Sequence, residues 1–166
     1  DVFIYPSIIP AFSYPSQICE GEAVLFENKS KVLSGSMEFM WDFGTGVAAD
    51  QTEAPEPVFQ FPDNGSGQAQ SFDVTLTAKT VPYGFTFTKT VTITVNPIPT
   101  IAFTKVNACE GEELTFTNKT TPTTADMSWD FGDGSKSTVA SPKKKYDYAG
   151  SYVVTLKADL NGCVAT

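Results

Sequence analysis

Histidine and arginine are both missing from this 166-residue chain. Without histidine, neither a Ser-His-Asp nor a Cys-His arrangement for nucleophilic catalysis can be assembled. Arginine's absence, with a formal net charge of −8, removes the cationic surface that displaces counterions from a phosphate backbone. Nucleic acid is therefore not expected as a partner. The one basic run, Lys143-Lys144-Lys145, reads as a solvated loop. No apolar run approaches the roughly 18 residues of a membrane span, so this segment is not expected to insert in a membrane, and no secretion signal opens it. Gly-x-Ser-x-Gly does not occur. Glu20 and Glu22, and again Glu110, Glu112 and Glu113, fall at the start of a strand, where solvated turn residues are expected rather than a carboxylate pair working across a cleft. The chain reads as no enzyme.

What is present is a repeat. Trp41-Asp42-Phe43-Gly44-Thr45-Gly46 returns as Trp129-Asp130-Phe131-Gly132-Asp133-Gly134. Cys19-Glu20-Gly21-Glu22 returns as Cys109-Glu110-Gly111-Glu112, and Phe26-Glu27-Asn28-Lys29-Ser30 as Phe116-Thr117-Asn118-Lys119-Thr120. The stretch from Phe72 to Lys79 matches that from Tyr152 to Asp159. A period near ninety residues is a whole small domain, so two homologous modules in tandem are expected. Residues 8–97 form the first and 98–166 the second, whose last strand is truncated. Residues 1–7 read as the last strand of a preceding module, because Val2-Phe3-Ile4-Tyr5-Pro6 has the pattern and spacing of Ile93-Thr94-Val95-Asn96-Pro97.

The periodicity is two. Phe72, Val74, Leu76 and Ala78 share one face, as do Tyr152, Val154, Leu156 and Ala158. Thr, Val and Phe dominate these runs, and Gly- and Asn-bearing turns separate them, with no convincing helix. The expected fold is all-β: two antiparallel β-sandwiches of about seven strands each. They are expected to lie as a rod, because the Asn96-Pro97-Ile98-Pro99 joint is short and proline-stiffened.

Three cysteines leave two readings. Cys19 and Cys109 are equivalent, whereas Cys163 stands where the first module has Phe85. The economical pairing is Cys109–Cys163 with Cys19 free, which implies an oxidising compartment; the alternative is three buried thiols. Tyr83, Phe85 and Phe87 alternate around a tip that has no counterpart in the second module. Phe87 reads as core, while Tyr83 and Phe85 are candidate ligand contacts. Asn28-Lys29-Ser30 and Asn118-Lys119-Thr120 are formal glycosylation sequons, but their matched positions point to a shared structural role at a strand end.

The string from Trp129 to Gly134, followed by the stretch from Tyr148 to Leu156, resembles the PKD domain. The pattern is nearly complete in the second module. It degrades in the first, where Thr45 replaces the second aspartate and a longer loop runs from Pro62 to Ser71. The resemblance covers essentially the whole chain. It implies an immunoglobulin-like sandwich, usually in extracellular or cell-surface arrays that act as spacers, stalks, and adhesive or substrate-binding elements. The Cys-x-Gly opening and the late Asn161-Gly162-Cys163 are similar to PKD modules in secreted or surface proteins of Bacteroidota-type bacteria, adhesins of gliding bacteria among them. A non-catalytic spacer or adhesive stalk is the expected function. A carbohydrate- or protein-binding accessory module of a secreted depolymerising enzyme is the alternative. The expected partners are neighbouring domains of the same chain and a surface polysaccharide or protein. No cofactor is expected. Asp130 and Asp133 have two readings: a structural turn, in which carboxylates accept backbone N–H bonds, or a weak Ca²⁺ site, because clustered oxygens suit a hard cation and some PKD-like modules bind calcium.

Overall fold

A computed structural model describes residues 2–63 and 65–166. The chain divides into two compact units: Asp1–Asp63 with Ala69–Val95, and Asn96–Thr166 with Asn64–Gln68. The first carries β1 (Ile8–Ile9), β2 (Phe12–Ser13), β3 (Ala23–Leu25), β4 (Glu27–Asn28), β5 (Lys31–Val32), β6 (Ser36–Asp42), β7 (Val58–Gln60), β8 (Gln70–Val81) and β9 (Thr86–Val95). The second carries β10 (Phe103–Thr104), β11 (Glu113–Thr115), β12 (Thr117–Asn118), β13 (Asp126–Asp130), β14 (Lys136–Ser137), β15 (Lys143–Lys145), β16 (Thr155–Leu160) and β17 (Cys163–Ala165). All pairings between these strands are antiparallel. The architecture is all-β and immunoglobulin-like, and a single 3₁₀ turn, Ala48–Asp50, is the sole helical element among the described residues.

The same plan is built twice. In the first unit β6–β8–β9 form one sheet, and the pairs β2–β4 and β3–β7 supply the facing layer. In the second, β14–β13–β16–β17 form the sheet, faced by β10–β12 and β11–β15. Alternation decides what is buried: Phe72, Val74, Leu76 and Ala78 of β8 all point into the core. The ring geometry repeats as well. Trp41 meets Phe12 edge-on at 5.1 Å and Trp129 meets Phe103 at 5.0 Å. Each indole then stacks with the phenylalanine two residues on, at 6.3 Å for Phe43 and 6.4 Å for Phe131. Both tryptophans have no exposed surface. Their indole N–H groups find no acceptor among the described residues.

The first unit seals its core with a long last strand. β9 runs beside β8 over ten positions, from Lys79↔Thr86 to Gln70↔Val95, and buries Ile93 and Val95 against Ile18, Val24 and Phe72. In the second, β17 covers Ala158–Leu160 alone. Here β16 begins at Thr155, so Tyr152 and Val154 lie in an unpaired, half-buried stretch where β8 is already paired strand. Residues 2–7 form no strand.

Lys143-Lys144-Lys145 is also not a loop. It is β15, paired residue for residue with Glu113–Thr115. Alternation puts Lys144 on the inner side, above the Phe131 and Tyr146 rings at 5.7 and 5.1 Å, while Lys143 reaches Glu113 at 2.7 Å.

Candidate functional site

The Asp-Phe-Gly turn holds the candidate metal residues. It follows β13 in the second unit and β6 in the first. Asp130 Oδ1 accepts the Gly132 N–H at 3.0 Å, and Asp42 Oδ1 accepts that of Gly44 at 2.8 Å, the turn that a short carboxylate closes on its own backbone. The glycines are required twice over. Their φ angles are 75° and 73°, and a Cβ would lie 2.5 Å from the Val153 carbonyl oxygen or 2.7 Å from that of Asp73. One turn on, Asp133 Oδ1 accepts the Ser135 N–H at 3.0 Å and its hydroxyl at 2.5 Å, while Oδ2 meets Lys144 Nζ at 2.5 Å. The hydrogen bond from Lys144, then those from the Ser135 side chain and backbone, hold the Asp133 carboxyl far below the usual carboxylate range. Lys136 Nζ lies 3.6 Å from the remaining oxygen, Asp130 Oδ2.

All four carboxylate oxygens therefore have partners, two of them lysine ammonium groups. Among the described residues no group of three or more acidic, cysteine or histidine side chains is placed to hold a metal. Ca²⁺ takes six to eight oxygens and would displace both ammonium groups, so Asp130 and Asp133 do not fit it. In the first unit Thr45, at the Asp133 position, donates its hydroxyl to Asp50 Oδ2 at 2.5 Å, so a different side-chain bond holds the corresponding turn.

Tyr83 and Phe85 are both exposed, at 55% and 43%, in the hairpin joining β8 to β9. They do not stand alone. Tyr5 packs edge-on to Tyr83 at 5.5 Å and against Phe85 at 5.1 Å, making a surface cluster of three rings. Beneath it the buried Thr80 hydroxyl accepts the Phe85 N–H at 3.0 Å. The corresponding hairpin of the second unit is a tight Asn161-Gly162 turn, with φ of 51° and 82°. Against it lies Asn96, the residue equivalent to Tyr5, whose side-chain oxygen accepts from Asn161 Nδ2 at 3.3 Å. Each hairpin tip is thus met by a residue near the start of its own unit, through rings in one case and amides in the other. Sequence reading finds Tyr83 and Phe85 but misses Tyr5, which it assigns to a different module.

The cysteines require a correction. Cys109 is a free, exposed thiol, while Cys19 and Cys163 are buried and disulfide-bonded. The Cys109–Cys163 pairing fails because the two lie at opposite ends of β16. The Cys109 loop is tied to the residues before that strand: Gly111 donates to the Tyr146 carbonyl at 2.8 Å, and Ala149 donates to Glu110 Oε2 at 3.1 Å. Cys163 follows the strand's far end, opposite Leu160. Six residues of strand separate the ends by about 20 Å, whereas a disulfide needs Cα atoms within about 7 Å. The sequons are structural. Asn28 Oδ1 accepts the Ser30 N–H and Asn118 Oδ1 that of Thr120, both at 2.9 Å, and Ser30 and Thr120 close on the carbonyls of Ala11 and Ala102.

Residues 94–166 match the family model of the PKD domain. The match spans the Trp129–Gly134 turn, the paired β13 and β16, and the Asn161-Gly162 hairpin described above. Among solved structures, the PKD1 domain of Vibrio anguillarum Epp is similar at 24% identity, covering 55% of this chain and 95% of that one, with a TM-score of 0.43. The PKD1 domain of the Vibrio cholerae metalloprotease PrtV is similar at 26% identity, covering 54% of this chain and 98% of its own, also at 0.43. Murine CEACAM1b covers 95% of this chain and 94% of its own at 14% identity and a TM-score of 0.42. No curated protein sequence matches the chain.

Proposed function

We propose that this chain is a non-catalytic spacer or adhesive stalk segment, two PKD-like modules within a longer extracellular or cell-surface protein of a Bacteroidota-type bacterium, such as an adhesin serving gliding. The observation that carries the reading is the duplication itself. The two units repeat the same rings, the same side-chain-closed turns and the same crowded glycines. A core and turn repeated in the same form are what an element that carries load or presents its neighbours needs. The PKD match and the disulfide-bonded Cys19 and Cys163 fit an oxidising, extracellular setting. The proposal requires an elongated particle in solution. Small-angle scattering checks it, and a globular profile would overturn the stalk.

A second reading, an accessory binding module of a secreted depolymerising enzyme, draws on one observation: the exposed rings of Tyr83 and Phe85 beside Tyr5. Stacked aromatics suit sugar faces and apolar peptide side chains. Affinity electrophoresis through a panel of polysaccharides tests it. Retardation of the wild type that is lost in the Tyr83→Ala/Phe85→Ala protein would favour the accessory module. Equal mobility throughout would leave the stalk.

A further inference from the structure

β6 lies at the edge of the β6–β8–β9 sheet, and most of its outer side is bare. On that side Trp41 alone is paired through its main chain among the described residues. Its N–H donates to the Thr52 carbonyl at 2.7 Å, and its carbonyl accepts the Thr52 N–H at 3.1 Å. The covering segment then leaves the strand. The Thr52 hydroxyl accepts the Ala54 N–H at 3.2 Å, a local bond that turns the chain, and Pro55 has no N–H to offer. Antiparallel alternation aims the main-chain groups of Phe39 and Met37 the same way as those of Trp41, and neither residue finds a partner there among the described residues. A groove of about 680 Å³ opens along these unpaired rungs. Met37, Phe39, Met40 and Pro55 give it apolar walls, and Glu38 and Glu53 complete its carboxylate lip. The second module keeps the same stretch covered: Ala125 and Met127, the equivalents of Met37 and Phe39, are buried, and Ser128 stands in place of the exposed Met40. A free main-chain edge beside apolar walls supplies what strand addition needs, hydrogen bonds for affinity and side-chain pockets for specificity.

We propose that the Ser36–Met40 edge of β6 is a strand-acceptor site, and that its occupant is an extended segment of another protein in which a lysine or arginine stands between apolar residues. The free rungs set the register. A strand antiparallel to β6 pairs two of its residues with Phe39 and Met37, and the residue between them falls opposite Glu38. That residue shares the outer face with Glu38 and Met40, while its neighbours share the inner side with Phe39 and Met37. Charge selects the occupant. Glu38 has one ammonium nearby, Lys79 at 3.5 Å, and Glu53 forms no salt bridge among the described residues. The groove therefore holds more carboxylate than cation, and a basic side chain opposite Glu38 complements it. A second copy of β6 does not fit. The register that uses both rungs, Met37 on Phe39, would set Glu38 directly opposite Glu38 of the other copy, and like charges so placed destabilise a strand pair.

NMR titration of the whole chain with a short capped peptide of alternating valine and lysine tests this. The expected result is saturable binding, with amide shifts centred on Met37, Glu38, Phe39 and Met40 and on Thr52 to Ala54. The same peptide with glutamate for lysine should bind severalfold more weakly. A version with N-methylated valines should lose binding, because it has no N–H to donate to the free carbonyls of β6. The Glu38→Gln/Glu53→Gln protein should bind the lysine peptide severalfold more weakly than wild type. Both glutamates are exposed, so folding is not at risk, and an unchanged melt verifies it. No saturable binding at millimolar peptide overturns the proposal, as does equal binding of the glutamate or the N-methylated peptide. Equal affinity in the Glu38→Gln/Glu53→Gln protein, or amide shifts centred on any other strand, overturns it too.

Discussion

The two modules share a core and differ in how they pin the turn beside it. Around Trp41 and Trp129 the ring distances agree to within about 0.3 Å, and the same side-chain-capped glycine turn follows each. They part at the residue that pins the turn: Asp133 meets Lys144 Nζ at 2.5 Å, whereas Thr45 donates its hydroxyl to Asp50 Oδ2 at 2.5 Å. The inner clamp of tryptophan, the phenylalanine two residues on and the glycine after it is set by residues close in sequence. It forms alike in both modules. The second turn is then pinned from a distant strand, Lys144 of β15, and the first from the nearby 3₁₀ turn that carries Asp50.

The largest break should come at the clamp. Trp41→Ala and Trp129→Ala are each expected to lose about 3–5 kcal/mol, by matching amounts because both rings are fully buried in matching contacts. Denaturant melts of the two variants measure this, and clearly unequal losses would show that the two cores are not equivalent. Next comes the disulfide. Cys19→Ser or Cys163→Ser should lose about 2–4 kcal/mol and Cys109→Ser close to nothing. Peptide mapping of the native, non-reduced protein should find Cys109 alkylated and the other two protected.

Smaller again are the turns. Gly44→Ala and Gly132→Ala should each lose more than the roughly 1–2 kcal/mol of a left-handed alanine, because the new methyl also meets a backbone carbonyl. Thermal melts in which either variant matches wild type would contradict the crowding. The smallest effect separates the modules by pH. Asp133 has a lowered carboxyl pKa, so its stabilisation is present above the unfolded aspartate value near 4 and is lost as pH falls toward the folded value. Asp133→Asn should lower the melting temperature modestly at neutral pH and converge on wild type in strong acid. Wild type should melt at the same temperature in millimolar calcium as in chelator. A calcium-dependent rise absent from Asp133→Asn would reinstate Asp133 as a ligand.

Much of this was legible in the chain. Period-two alternation exposed β8 and β16, and the doubled Trp-Asp-Phe-Gly string placed the clamp and its turn, because each depends on neighbours within a few residues. What was not legible depends on distance in space. Equivalence between repeats suggested pairing Cys109 with Cys163, but it carries no information about which end of β16 each occupies. Three consecutive lysines gave no apolar signal for β15. Only the fold reveals that Lys144 faces inward to Asp133. Tyr5 was assigned away from Tyr83 and Phe85 because its segment has the pattern of a strand from another module.

The orphaned indole N–H in each core holds headroom for protein engineering. Leaving such a donor dry costs about 1–3 kcal/mol, and both modules carry that cost at the position where ring shape matters most. An analogue that keeps the bicyclic outline but replaces the N–H with sulfur, benzothienylalanine at 41 and 129, would preserve every stacking contact while removing the unmet donor. Swapping a single atom in each ring should therefore raise the melting temperature of the chain.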